Sequence, residues 1–96
     1  MHLFSLSFRW NEFSSTLSSS LTNLRLTEEF FDVTLCSGDR VGQVQAHKVI
    51  LAACSPFFRR ILARNPHPNP LLYLKGVDKE SLTGLLDFMY LGEVIH

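Results

Sequence analysis

The residues from Phe4 to Trp10 alternate apolar and polar side chains without a break, and this alternation constrains the fold more than any other feature. In an extended segment, a period of two places Phe4, Leu6, Phe8 and Trp10 on one face. No turn sequence follows that would return the chain as a hairpin. Because unpaired backbone groups beside an apolar face promote association, such a strand pairs with a distant segment or with another molecule. An edge strand paired within the same chain is the alternative. The segment predicts an oligomer with an exchanged N-terminal strand.

From Asn11 onward the spacing becomes that of a helix, which Asn11 is expected to cap. One face carries the apolar residues, and serine and threonine occupy the others. Serine and threonine form helices only moderately well, so the helix must be stabilised by what its apolar face contacts. We therefore expect this helix to belong to the same interface as the strand. The apolar face consists of Phe13, Leu17, Leu21 and Leu24.

The length of 96 residues predicts one domain spanning the whole chain, residues 1–96. Nine basic and nine acidic residues cancel, which argues against direct binding of nucleic acid. No segment resembles a signal peptide or a membrane span, so a soluble cytoplasmic or nuclear protein without a membrane partner is expected. Cys36 and Cys54 lack metal-type spacing and are predicted to be buried, reduced thiols, with a disulfide as the alternative.

Two strands and two helices are predicted in the middle of the chain. Phe31–Cys36 and Val41–Ala46 alternate around a turn with glycine and aspartate, which indicates a hairpin. Lys48–Cys54 is apolar nearly all round and predicts a buried helix, with a third strand as the alternative. Ser55 and Pro56 are typical of the start of a further helix. The apolar residues that this helix is expected to bury are Phe57, Phe58, Ile61 and Leu62.

The last third of the chain predicts a strand and a helix. Three prolines interrupt the preceding helix, and Leu71–Leu74 then reads as a short strand. Asp78 is expected to cap the final helix and Gly92 to end it. The apolar spacing of that helix comes from Leu82, Leu85, Leu86 and Met89. Together the elements define an α+β domain with a small sheet flanked by helices.

Three segments closely resemble the BTB (POZ) domain: residues 31–35, residues 46–58 and residues 86–94. The resemblance covers nearly the whole chain. The run Phe8-Arg9-Trp10-Asn11-Glu12-Phe13 is similar to the opening of the tramtrack and bric-a-brac subgroup, whose members are mostly insect transcription factors. The resemblance implies an obligate dimer in which the N-terminal strand is exchanged and the first helices pack together. It also implies larger assemblies, mixed partners among related BTB proteins, and co-repressors.

At the centre of the family's dimer, a buried acidic residue and a basic residue form a charged pocket. Asp32 and Lys48 stand at the matching positions in this sequence. A purely structural buried ion pair is the alternative, and the two roles are compatible. BTB domains usually continue with further helices, so a chain ending at His96 resembles a C-terminally truncated domain. Without those helices, one face of the Asp78–Leu91 helix is expected to be exposed.

Other chemistry is disfavoured by the sequence. His47, His67 and the two cysteines contain metal-binding atoms, but their irregular spacing resembles no zinc site, so neither a metal nor another cofactor is predicted. His67 is expected to be solvated. A nucleophile pair of Cys54 and Ser55 lacks a glycine-rich oxyanion turn, and no catalytic residue is proposed. A solvated helix face is favoured over a binding patch for Arg59, Arg60 and Arg64.

The sequence therefore predicts a nuclear module that is not an enzyme and that dimerises a transcription regulator. Its expected interface consists of Phe4, Leu6, Phe8, Trp10, Phe13 and Leu17, with Asp32 and Lys48 near its centre. The alternative is a substrate adaptor that docks a cullin-type ubiquitin ligase, a role of other BTB proteins. Zinc fingers downstream in the polypeptide would favour transcription, and kelch-type repeats would favour the adaptor.

Overall fold

The computed structural model describes residues 12–92, a range that contains four helices and three strands. A long first helix precedes a hairpin, a pair of short helices follows, and a last strand and helix complete the domain. In chain order the elements are α1 (Phe13–Leu26), β1 (Val33–Cys36), β2 (Gln43–Ala46), α2 (Lys48–Cys54), α3 (Pro56–Ala63), β3 (Leu71–Tyr73) and α4 (Lys79–Leu91).

The three strands form one sheet in the order β2-β1-β3. β1 and β2 are antiparallel and pair Val33 with Ala46, which confirms the predicted hairpin, although each strand begins two residues later than expected. β3 lies parallel to β1 and pairs Leu72 with Leu35. A parallel neighbour requires a crossover, and α2 and α3 provide it. The central strand is therefore completed only by residues from the second half of the chain.

Local capping signals set the ends of the later helices as predicted. Ser55 accepts a hydrogen bond from the backbone N–H of Phe58 with Pro56 in the first turn, and Asp78 accepts one from Ser81. Gly92 ends α4 at a φ of 81°, a left-handed conformation that glycine adopts without strain. At α1 the N-cap is Glu12, which makes no side-chain capping bond. The predicted cap Asn11 lies outside the described residues.

The core lies between the sheet and helices α2, α3 and α4. Leu35, Leu51, Leu82 and Leu86 are fully buried, so β1, α2 and α4 each contribute to its centre. This burial confirms the predicted spacing of Leu82 and Leu86. The cluster of buried apolar residues consists of Val33, Leu35, Ala46, Ile50, Leu51, Phe58, Leu82, Leu86 and Tyr90.

Three burial predictions were wrong. Phe57 is 53% exposed, because consecutive helical residues point about 100° apart and Phe58 takes the core-facing position on α3. Val49 is 70% exposed, so α2, predicted to be a buried helix, buries only one face of itself. Cys54 ends α2 at the surface and is an exposed free thiol, whereas Cys36 is buried and free as predicted. The α+β prediction is confirmed for the described range.

Candidate interaction surface

The apolar face of α1 is divided between the body of the domain and the outside. Leu21 packs against the core cluster, and Leu24 is half-buried. One and two turns earlier, Leu17 is 42% exposed and Phe13 is 48% exposed. No residue of α1 counts as buried over its range Phe13–Leu26. Among residues 12–92, the N-terminal half of the helix is therefore less buried than the half that carries Leu21 and Leu24.

Two of the six residues predicted for the dimer interface fall within the described range. Phe13 and Leu17 lie four residues apart, and therefore on the same face of α1. The exposure of Leu17 agrees with a surface that could contact a partner, but it does not identify the partner. The other predicted interface residues, Phe4, Leu6, Phe8 and Trp10, lie outside residues 12–92, and the exchanged strand stays a prediction.

The structure brings Asp32 and Lys48 together, but through the backbone. The Asp32 Oδ1 atom accepts a hydrogen bond of 2.7 Å from the backbone N–H of Lys48, the first residue of α2. The Lys48 Nζ atom donates to the carbonyl oxygen of His67 at 3.0 Å. Within residues 12–92 the two side chains form no ion pair with each other. Both residues are half-buried, and the Asp32 carboxylate satisfies an unpaired donor at the start of α2.

A buried network around His47 joins three segments that lie far apart in the sequence. The Tyr90 hydroxyl lies 2.6 Å from His47 Nδ1 and accepts a hydrogen bond of 3.0 Å from the His47 backbone N–H. On the other side of the ring, His47 Nε2 lies 2.8 Å from the carbonyl oxygen of Glu29. The α1–β1 loop, the start of α2 and the end of α4 are thereby linked.

The two partners of the ring select one tautomer of the neutral form of His47. The Glu29 carbonyl can only accept, so the Nε2 atom of His47 carries the hydrogen, and the Nδ1 atom is left to accept from the Tyr90 hydroxyl. Burial raises the pKa of the Tyr90 hydroxyl, which keeps it protonated and able to donate. This network cannot be predicted from the sequence, because no spacing rule connects residues so far apart.

Replacing Tyr90 with phenylalanine is expected to lower the free energy of unfolding by about 1–3 kcal/mol, because two buried nitrogen atoms of His47 lose their partner. Urea denaturation at pH 7 measures the change. Tyr73→Phe is the matched control: the Tyr73 hydroxyl bonds the Gly38 carbonyl, but this tyrosine is 46% exposed and water can replace the bond. Its loss is expected to stay within about 0.5 kcal/mol. Equal effects of the two substitutions would contradict a structural role for the network.

Comparison of wild type with Tyr90→Phe also tests the titration of Tyr90. The pKa of its hydroxyl is higher in the folded chain than the ordinary value of 10.0. The folded state therefore holds this proton more tightly, and its contribution to stability is present below pH 10 and is lost as the pH rises through the folded pKa. Wild type should lose stability above pH 10 more steeply than Tyr90→Phe.

An apolar groove lies between α3, α4 and the segment that follows β3. Its volume is about 640 Å³, and Lys75 is the charged residue on its wall. Phe88 of α4 is 54% exposed there, which agrees with the expected exposure of one face of this helix. The lining consists of Cys54, Ser55, Pro56, Phe57, Phe58, Tyr73, Leu74, Lys75, Val77, Leu85, Phe88 and Met89.

The remaining candidate residues are scattered over the surface. His67 and the three arginines of the predicted solvated face, Arg59, Arg60 and Arg64, are exposed as expected. Among residues 12–92, no three histidine, cysteine or acidic side chains are grouped so that they could hold a metal ion. None of the helices in this range combines the length and the apolar character needed to cross a bilayer.

The described residues form a small sheet flanked by helices, with exposed apolar side chains on α1 and α4. The model of the BTB/POZ domain family matches residues 21–96. The chain therefore belongs to the BTB/POZ family, as its sequence motifs predicted.

Two relatives from Drosophila melanogaster match over 90% of this chain. Protein abrupt is 48% identical over 86 residues, and protein tramtrack, alpha isoform, is 42% identical over 86 residues. These matches confirm the resemblance to the tramtrack type of BTB domain. The chain spans about a tenth of the length of these relatives, 9% of abrupt and 10% of tramtrack.

A solved structure confirms the fold. The BTB domain of zebrafish PATZ1 superposes with a TM-score of 0.79 at 24% sequence identity. The match covers 94% of this chain and 72% of that one. At this identity the likeness shows the α+β BTB fold alone.

Proposed function

We propose that this chain is an assembly module that forms homodimers and also pairs with related BTB proteins. The contact surface is the apolar face of the N-terminal half of α1, where Phe13 and Leu17 lie. The N-terminal segment with Phe4, Leu6, Phe8 and Trp10 also belongs to it. In this proposal the chain binds other proteins and catalyses no reaction. In this proposal Asp32 and Lys48 lie near the centre of the dimer, where the carboxylate also caps α2.

The division of the α1 face carries the proposal. A helix rich in serine and threonine is weakly stable by itself and depends on the contacts of its apolar side chains. Leu21 contacts the body of the domain, whereas Leu17 remains 42% exposed on the same face. An identical helix from a second copy would cover this surface in a two-fold arrangement, in which the same patch serves both partners.

The cellular role follows from the kind of relatives that the chain has. Matches to abrupt and tramtrack support a domain that belongs to a transcription regulator, as the sequence resemblance implies. We infer a nuclear location and recruitment of co-repressors from the same resemblance. Contacts with DNA are assigned to other parts of such a polypeptide, because this chain carries no net charge.

Analytical ultracentrifugation of the purified chain tests the proposal. A dimer is expected at micromolar concentration, and mixing with the labelled BTB domain of tramtrack should yield a mixed species. A chain that sediments as a monomer at tens of micromolar would contradict the proposal. A stable complex with a purified cullin would instead favour the adaptor role.

A further inference from the structure

Two polar contacts join helix α1 to the last two turns of α4 within residues 12–92. The Ser18 hydroxyl donates to the Tyr90 carbonyl oxygen at 3.1 Å. The Arg25 guanidinium bonds the Asp87 carboxylate at 2.8 Å. Leu21, between these two anchors, packs on the core. The orientation of α1 therefore depends on a small set of contacts, and Arg25 with Asp87 is the charged pair among them.

The surroundings of Arg25 partly shield this ion pair from water. The two side chains are only 20% and 30% exposed, so water screens the attraction less than at an open surface. The guanidinium carbon also lies 5.0 Å from the centre of the Tyr90 ring, within the range of a cation–π contact. Arg25 stands in the last turn of α1, where a cation interacts favourably with the helix dipole.

Leu17 lies two turns of helix from this anchor, about 12 Å along the axis at 1.5 Å per residue. Without the Arg25 contact, Ser18 and Leu21 remain to hold α1, and a rotation of the helix by about 10° over this length shifts one end relative to the other by about 2 Å. Packed interfaces tolerate little displacement, because apolar contact is lost once surfaces separate by a fraction of an ångström to an ångström. The anchor thus influences a surface that it does not touch.

We propose that Arg25 and Asp87 are positioning residues for dimerisation: they fix the angle at which α1 presents Leu17 to a second copy. This inference rests on the proposed function, and it concerns residues that are outside the predicted contact surface. The charge at position 25 would then affect the dissociation constant of the dimer, although the side chain does not contact the second copy.

The test compares two substitutions that make the same change of charge, one at an arginine of this ion pair and one at an exposed arginine outside it. Arg25→Glu places two carboxylates against each other and is expected to weaken the dimer at least about tenfold, the equivalent of about 1.4 kcal/mol. Arg59→Glu makes the same charge change on an exposed arginine of α3 and should alter the dissociation constant less than twofold. The double variant Arg25→Glu with Asp87→Arg restores opposite charges and should recover most of the loss. Sedimentation equilibrium measures all three.

Hydrogen exchange separates positioning from general destabilisation. In Arg25→Glu the amides of α1 should exchange faster, while those of β1 and α2 keep their wild-type protection. If Arg25→Glu does not fold, Asp87→Asn removes the charge at nearly constant shape and supplies the same comparison. A wild-type dimer with equal affinity in Arg25→Glu and Arg59→Glu would overturn the positioning role and leave the dimer standing. A monomeric wild type would overturn both proposals.

Discussion

Replacing Leu17 with aspartate should convert the dimer to a monomer while the domain stays folded. The substitution places a charge without a partner on the apolar face of α1, where Leu17 is 42% exposed in the single chain. A central interface residue of this kind typically contributes about 2 kcal/mol or more, so a dissociation constant at least about 30-fold higher is expected. Sedimentation equilibrium measures the constant, and circular dichroism shows that the helices are retained.

The matched control for this result is Val41→Asp. Val41 is 84% exposed, lies between β1 and β2, and is remote in sequence from α1. It should leave the dimer unchanged. Leu6→Asp, in the predicted N-terminal strand, is expected to act like Leu17→Asp. An intact dimer in both Leu6→Asp and Leu17→Asp would remove the basis for the proposed function.

Replacing Leu86 with alanine is expected to have the largest effect on folding. Leu86 is fully buried at the centre of the core, so its truncation removes apolar contacts and leaves a cavity. Leucine-to-alanine changes of this kind lower the free energy of unfolding by about 2–5 kcal/mol. For a small domain, that loss is a large fraction of the total stability.

Leu85→Ala is the internal control, since the same atoms are removed from the adjacent residue of α4. Leu85 is 36% exposed, and its truncation should cost about 1 kcal/mol or less. Urea denaturation at one fixed protein concentration measures both, because the stability of a dimer depends on concentration. Equal losses for the two variants would show that the core is not centred on this face of α4.

The local elements could be predicted from sequence because their signals lie within a few residues. Ser55 with Pro56, Asp78 and Gly92 each set a helix end by a side chain or backbone conformation of their own, and the structure confirms them. The hairpin was likewise marked by its alternation and its turn. The family motifs then specified the fold beyond what periodicity alone supports.

Contacts between distant segments could not be predicted in this way. Nothing near Tyr90 indicates that its hydroxyl meets His47, and nothing near Arg25 indicates Asp87. The family resemblance paired Asp32 with Lys48, but it did not show that the carboxylate accepts from the backbone amide while the ammonium group donates to another carbonyl. The packing of the whole chain determines which hydrogen-bond partners these side chains have.

The order of the strands has a consequence for synthesis on the ribosome. β1 forms its hairpin with β2 early, but its other edge receives β3 only after both crossover helices have emerged, and the core needs Leu82 and Leu86 still later. Until then the apolar side chains of β1 cannot pack against the complete core. A nascent polypeptide of this type is therefore expected to expose apolar surface until α4 has left the ribosome.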